Sequence, residues 1–446
     1  MASGSDFSAE EHFMDDNLSL ADPASDQSMS DASFSSSGSS WDPLDVRDSD
    51  DDYNEISDVE DLEYESDDWS VSRDPEARAP VVDPESEFQF VAPTLDGKPT
   101  PEFPFTNEPA GYNANLPIFD APVESFMSII DLEVVESIVI WTNERAEQFF
   151  EGRRNTIVNG IKWKPVDIPT IYLFLGLIMN MGVVREPEIS NYWSSHPQYG
   201  GPPIFTSKVM SRNYFMNILK FIRFSSVDDV DKKDHKTRIE PFLELLRTKC
   251  KEHVNPGVHI AIDEALILWK GRLKFRQFIK TKRSRFGIKV FVTCPGDQKY
   301  YGYSWDFQIY YGKNSDFKTD KTRAATEPLS KSEEIVVKML SELLGCGCHV
   351  ITDNWYTSLR LANYLQTQNT DITGIVNPKR GPPKILRDYP VQLKESRFVR
   401  KGDVMITKYE DRKTLYALTT RYVLNVLKLQ YLDYITILLI DNFDIN

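Results

Sequence analysis

The stretch Val258–Lys289, VHIAIDEALILWKGRLKFRQFIKTKRSRFGIK, restricts the fold more than any other part of this sequence. It begins by alternating. Val258, Ile260 and Ile262 fall on one side of an extended chain and His259, Ala261 and Asp263 on the other, which predicts a strand. That strand is expected to deliver the acid pair Asp263-Glu264 at its end. A run of cations follows: Lys270, Arg272, Lys274, Arg276, Lys280, Lys282, Arg283, Arg285 and Lys289. Trp269, Phe275, Phe278 and Phe286 lie between them. A carboxylate at a strand end beside a basic track suits metal-assisted phosphodiester chemistry. The acid holds a divalent cation and the basic side chains hold a nucleic-acid backbone. A solvated turn followed by a solvated charged face has the same pattern, so a second acid elsewhere must decide.

The second acid is Asp353. It follows a short expected strand, His349–Thr352, in the segment Val350-Ile-Thr-Asp-Asn-Trp-Tyr-Thr-Ser358. If that strand neighbours the first, Asp263 and Asp353 converge, and two carboxylates can bind or flank Mg²⁺. The alternative is that Asp353-Asn354 only shapes a turn.

The net charge of −17 conceals an asymmetry. Residues 1–90 contain 27 Asp and Glu, three Arg and no Lys, so they carry −24 and leave +7 on the rest. An acidic arm on a mildly basic body suggests nucleic-acid or chromatin contact for the body, with the arm as an interaction tail or self-screening competitor. The arm is expected to be disordered, because it has too little apolar content to offset ordering entropy. Four cysteines in 446 residues are too few for a disulfide framework and favour a reducing compartment. Cys346-Gly-Cys348-His349 lacks a second ligand pair and reads as a loop entering a strand rather than a zinc site. No apolar run approaches the ~20 residues of a membrane span, so no membrane partner is expected.

Residues 91–118 are Pro-rich and read as a linker. Residues 119–256 read as helical. Asp131 can cap a helix with Val134, Val135, Ile138 and Trp141 inward. Asp167-Ile-Pro169 opens another, with Ile171, Phe174, Leu175 and Ile178 as its stripe. Ser211 and Pro241 open two more. From residue 257 the pattern becomes mixed α/β. Strands are expected at Val258–Asp263, Ile288–Cys294, Gly302–Tyr311, His349–Thr352 and Ile372–Val376. Helices follow the capping box Ser330-x-x-Glu333 and run from about Ser358 to Gln366.

Several of these segments resemble the piggyBac transposases, and most closely the piggyBac transposable element-derived proteins. They are Trp163-Lys-Pro165, Phe174-Leu-Gly-Leu177, Tyr192-Trp-Ser194, Val209-Met-Ser-Arg212, Ile262-Asp-Glu264, Lys270-Gly-Arg272, Phe275-Arg-Gln277, Phe286-Gly-Ile-Lys289, Thr352-Asp-Asn-Trp-Tyr-Thr-Ser358 and Pro378-Lys-Arg-Gly381. They stand in the family's order and spacing over about residues 100 to 420. The resemblance implies an α/β fold: an RNase H-like mixed sheet at 257–376, preceded by a helical dimerisation and DNA-binding domain at 119–256 and followed by an insertion domain at 377–420. It implies a DDD metal site using Mg²⁺, with Asp263 and Asp353 as the first two catalytic ligands. It further implies TTAA-targeted cut-and-paste transposition, a homodimer, DNA as partner and a nuclear location. The cluster Lys280-Thr-Lys-Arg-Ser-Arg285 could serve nuclear import.

The family's third acid lies in a Gly-Gly-Val-Asp segment that has no counterpart here. Asp441 and Asp444 have the right mutual spacing without the glycines, which leaves Asp441 as the remaining candidate ligand. Residues 421–446 read as a divergent tail, and the C-terminal part of the core is expected to be missing. The expectation is therefore a DNA-binding, transposase-derived protein whose strand-transfer core is incomplete and inactive; the alternatives are an active cut-and-paste transposase at TTAA sites and a non-catalytic, chromatin-associated nuclear protein.

Overall fold

A computed structural model describes residues 64–65, 88–91, 103–107, 109–151, 157–158, 161–195, 204–231, 234–269, 271, 273–279, 285–312, 315–379 and 381–421. The chain divides into units 1–54 and 55–446, and every described residue lies in the second. Among the described residues no helix is long and apolar enough to cross a membrane. The tail candidate Asp441 lies outside the described residues, as do Lys270, Arg272, Lys280, Lys282 and Arg283.

Short strands come first: β1 (Tyr64–Glu65), β2 (Gln89–Val91) and β3 (Gly111–Tyr112). Then come α1 (Pro122–Ile129), α2 (Leu132–Phe150), the hairpin β4 (Ile157–Val158) and β5 (Ile161–Lys162), α3 (Ile168–Val183), α4 (Arg212–Phe221) and α5 (Glu240–His253). The helices start where polar side chains satisfy their first amides. Asp131 accepts from Val134 N at 3.0 Å, Asp167 from Thr170 N at 2.9 Å and Ser211 from Tyr214 N at 3.3 Å. Their apolar stripes meet in one core containing Val134, Val135, Ile138, Ile171, Phe174, Leu177, Phe215 and Ile218. Ile178, expected in the α3 stripe, is exposed instead. Leu177 takes the inward place, because the buried stripe advances by three residues at a time here.

The remaining elements form the main sheet and its cover, except the first, which pairs with β3 in a separate two-stranded sheet. They are β6 (Val254–Asn255), β7 (His259–Leu268), β8 (Gln277–Ile279), β9 (Phe286–Pro295), β10 (Asp306–Ile309), α6 (Asp320–Arg323), α7 (Lys331–Met339), β11 (His349–Thr352), α8 (Leu359–Thr367), β12 (Asp371–Ile375), α9 (Lys384–Arg387), β13 (Ser396–Lys401), β14 (Val404–Glu410) and β15 (Thr414–Thr419). The central order is β9-β7-β11-β12, with β10 also on β9. β10 and β7 run antiparallel to β9, while β7, β11 and β12 run parallel. This is the RNase H-like mixed sheet that the resemblance implies. α7 and α8 supply the parallel crossovers and bury Val336, Met339, Leu340, Leu361 and Leu365 against Ile260, Ile262, Phe291, Val350 and Ile372.

Two boundaries differ from the sequence reading. The first strand does not stop at Asp263. It runs to Leu268, because Ala265 and Leu266 are still buried and β9 keeps pairing with it as far as Leu268↔Gly287. Asp263 is therefore mid-strand, and only Asp353 follows a strand end. The strand expected over Gly302–Tyr311 is shorter, at Asp306–Ile309.

Residues 377–420, expected as an insertion, contribute β13 to β15 to the same sheet. β15 pairs with β12 through Thr373↔Thr419, and β14 and β13 follow in antiparallel order. β2 then closes this side on β13, with Phe88 buried in the main core.

Candidate active site

The parallel register of β7 and β11 builds the site. Thr352 stands opposite Ile262. Asp353 follows Thr352 as Asp263 follows Ile262, so the two acids stand level on neighbouring strands. The sequence expectation that these strands adjoin is met, and with it the precondition for convergence.

Alternation along β7 sends Asp263 and Glu264 to opposite faces. Asp263 lies with Ala261 and Ala265 on the face of Val290, Val292 and Cys294. Burial, together with the Asp263 charge, pushes the Cys294 thiol up to about 12. Glu264 shares its face with Ile260 and Ile262, under α7 and α8. There its Oε2 accepts a hydrogen bond from the Tyr356 phenol at 2.9 Å. Tyr356 is 1% exposed. Burial and the charges of Glu264, Asp263 and Asp353 together hold its phenol protonated, well above its ordinary range. One phenol thus lies within the field of all three carboxylates.

The turn after β11 fixes Asp353. Its Oδ1 accepts from Trp355 N at 2.8 Å, and its carbonyl accepts from Thr357 Oγ1 at 2.7 Å. Ser358 caps α8 through Leu361 N and also donates to Glu333 Oε1 at 2.5 Å, while Arg360 Nε donates to Glu333 Oε2 at 2.9 Å. A Cβ on Gly374 would collide with Thr357 Oγ1 and Thr352 O, so only glycine lets β12 approach this turn. Burial first, and the Glu264 charge second, push the Asp353 carboxyl up to about 7; the hydrogen bonds of the turn and the Lys289 charge oppose them.

Lys289 is a correction to the expected surface track. It pairs opposite Leu266, so alternation turns it to the interior, where it is 3% exposed. Its Nζ lies 4.7 Å from the centre of the Trp355 ring and 5.4 Å from that of Phe291. Of the other cations within the described residues, Lys274 and Arg285 are exposed and Arg276 is half-buried. Arg276 donates to Gly271 O at 3.1 Å and packs 5.1 Å over Phe286. Lys274 and Arg285 flank β8, which pairs with β9. Trp269 and Phe286 beside them are also exposed.

Glu264 and Tyr356 escaped the sequence reading as site residues. The signal for Glu264 was its place after Asp263, but only the long β7 brings its face under Tyr356. Nothing local in Asp353-Asn-Trp-Tyr356 shows that the phenol turns back toward β7.

The opposite end of β7 and β11 is also polar. His259 Nδ1 and His349 Nδ1 are 3.1 Å apart, His349 Nε2 contacts Thr373 Oγ1 at 2.8 Å, and Thr373 contacts Thr419 at 2.7 Å. Burial drives the His349 imidazole far below its usual range and keeps it neutral. Cys346 and Cys348 are free thiols at the entry to this strand.

Oxygen donors at Asp263 and Asp353 fit a hard divalent cation such as Mg²⁺. Among the described residues, no three His, Cys, Asp or Glu side chains gather as a metal-binding group.

A family model described as "Transposase IS4" matches residues 121–427. The human PiggyBac transposable element-derived protein 3 is 25% identical over 261 residues, which are 58% of this chain and 40% of that protein. The human Chimeric ERCC6-PGBD3 protein is 25% identical over 261 residues and is covered to 22%. The chain thus spans less than half the length of these relatives. Among solved structures, a piggyBac transposase synaptic complex with hairpin DNA matches with a TM-score of 0.57 at 22% identity, covering 74% of this chain and 68% of the other. The chain belongs to the piggyBac-type branch of the IS4 transposase family.

Proposed function

We propose that this protein binds DNA through the β8–β9 hairpin and holds a divalent cation at Asp263 and Asp353, without completing strand transfer. The observation that carries this reading is the level placement of the two acids on parallel strands, with the exposed cations Lys274 and Arg285 on either side of β8, which pairs with the neighbouring β9. The solved relative is a complex with hairpin DNA, which supports DNA as the ligand class.

The residues would divide the work as follows. Lys274, Arg276 and Arg285 would contact phosphates, together with Lys270, Arg272, Lys280, Lys282 and Arg283 of the same stretch. Asp263 and Asp353 would hold the cation. Trp355 N and Thr357 orient Asp353, and Tyr356 orients Glu264. A bound cation would polarise a phosphodiester oxygen and acidify its water. Efficient strand transfer needs more carboxylate ligands than these two, and the described residues supply no further one in a metal-binding group. In cells the protein would be nuclear, acting as a homodimer on chromatin, with the acidic arm as a site for regulatory partners.

The test has two arms. Duplex DNA binding measured across a salt series should weaken steeply with salt, and Lys/Arg→Ala changes at 280–285 should flatten the slope. Absent or salt-insensitive binding would overturn the DNA reading. An excision assay at TTAA sites should give no product; clean excision that Asp263→Ala abolishes would overturn the inactive reading.

A further inference from the structure

We propose that the apolar segment 422–446 docks on the face of the main sheet opposite α7 and α8, and supplies the second covering layer of this fold.

Register defines the docking face. Ala261 stands opposite Ile351 on one side and Cys294 on the other. Ile351 stands opposite Thr373, and Ile375, two residues on, opposite Ala417. Ala417 stands opposite Thr407, and Thr407 opposite Phe398. Alternation therefore carries one surface across β9, β7, β11, β12, β15, β14 and β13. Val290, Val292 and Cys294 gather at one end of it, and Phe398, Met405 and Tyr409 at the other. Water is excluded from both ends: Cys294 is 0% exposed, Val292 2%, Met405 2% and Phe398 3%. Yet among the described residues, every apolar side chain packed into these two groups belongs to a strand of the sheet itself. Strands of one sheet do not seal their own face. That takes a second layer about 10 Å away. The opposite face has its layer in α7 and α8.

Composition and reach identify the occupant. The burial is that of a single chain, so the cover belongs to this chain and not to a second copy. Outside the described residues, 1–63 and 66–87 are acidic, 92–102 contains three prolines, and the internal loops have at most eight residues. Residues 422–446 differ from all of these. Of these 25 residues, 16 are Val, Leu, Ile, Phe or Tyr, and four are charged. Left in water, so apolar a segment would be an aggregation site. It begins two residues after Thr419, the end of β15, which lies four strand spacings from β9. At about 4.8 Å per spacing the crossing is about 19 Å. Even at the rise of a helix, about 1.5 Å per residue, the segment reaches about 37 Å. Most of it lies beyond the family match, which ends at residue 427. Asp263 stands opposite Val292 on the same face, so the segment borders the first acid of the candidate site.

The test uses the full chain with photo-methionine in place of methionine, irradiated at low protein concentration. Met405 should cross-link within one chain to peptides of 422–446, and Met339, in the core on the opposite face, should not. Links from Met405 only to other segments, only between chains, or to nothing would overturn the proposal. Alkylation by iodoacetamide, read peptide by peptide, is the second measurement. Cys294 lies on the docking face and Cys348 in the core beside α7. Leu432→Asp with Leu438→Asp, made in the full chain, should loosen the cover. The Cys294 thiol, which burial pushes up to about 12, should then return toward its ordinary range and react at least about tenfold faster, with Cys348 unchanged. An unchanged rate at Cys294 would overturn the proposal. Should both thiols speed up together, the double variant has unfolded, and the Met405 cross-links decide alone.

Discussion

The phenol of Tyr356 donates to the carboxylate of Glu264 at 2.9 Å, tying the turn after β11 to the strand that carries the first acid. The two residues are 92 positions apart in sequence. The bond holds Glu264 on the helix-covered face, away from Asp263. Tyr356→Phe should leave that carboxylate without its buried donor and cost about 1–3 kcal/mol. Urea unfolding at neutral pH measures it, and a change indistinguishable from zero would show the bond to be dispensable.

Asp353 makes stability depend on pH in an unusual direction for a carboxylate. Its folded-state pKa, about 7, lies above the ordinary 3.8. The folded state therefore holds the proton more tightly than the unfolded state. The contribution is fully present below about pH 4 and is lost as pH rises through about 7. Asp353→Asn, which keeps the acceptor for Trp355 N, should gain stability relative to wild type over that window and hold the gain above it. Denaturation curves at pH 5 and pH 8 should show a difference on the order of 1–3 kcal/mol. A constant difference between the two pH values would refute this assignment.

The buried His349 works in the opposite sense. It is held neutral in the fold, so its folded pKa is depressed below 6.5. Protonation favours the unfolded state, and stability should fall as pH drops below about 6.5. His349→Gln, which can still bond to Thr373, should flatten this acid limb. A limb of unchanged steepness would place its origin elsewhere.

Gly374 should tolerate no side chain. Alanine there would drive a Cβ into Thr357 Oγ1 and Thr352 O. The expected cost is about 2–4 kcal/mol, together with weaker Mn²⁺ binding because the Asp353 turn must move. Gly402 is the comparison site. A Cβ added there would meet no atom within 4 Å, but its φ is +56°, so backbone strain alone should cost about 1 kcal/mol. Thermal unfolding of the two alanine variants, side by side, separates collision from strain; equal losses would remove the special claim made for Gly374.

Much of this was legible from residues close together in sequence. The caps at Asp131, Asp167 and Ser211 and the strand before Asp353 follow from short-range patterning, whereas the pairing of β7 with β11 was a condition the sequence left open and the register settles. The orientation of Lys289 was not legible, because it depends on how far the β7–β9 ladder continues. A lysine at the end of a basic run reads as surface until the register is known; once Leu266↔Lys289 is set, alternation turns it inward. Glu264 and Tyr356 were hidden for a related reason. Their contact joins the turn after β11 to the strand β7, 92 residues away, and neither residue carries a local sign of the other. The joining of β13 to β15 onto β12 was equally distant, since it turns on Thr373 meeting Thr419 across 46 residues.

The strand β2 has a practical meaning for anyone who shortens this protein. It lies along β13, the last of the three antiparallel strands added after β12, and anchors there through Phe88. A fragment starting beyond Val91 would present β13 as an open edge with unpaired amides and carbonyls. Such an edge recruits another of its own kind, so the fragment should self-associate more strongly than the longer chain, in which β2 pairs with β13. The few residues around Phe88 act as a seam that covers the backbone of β13.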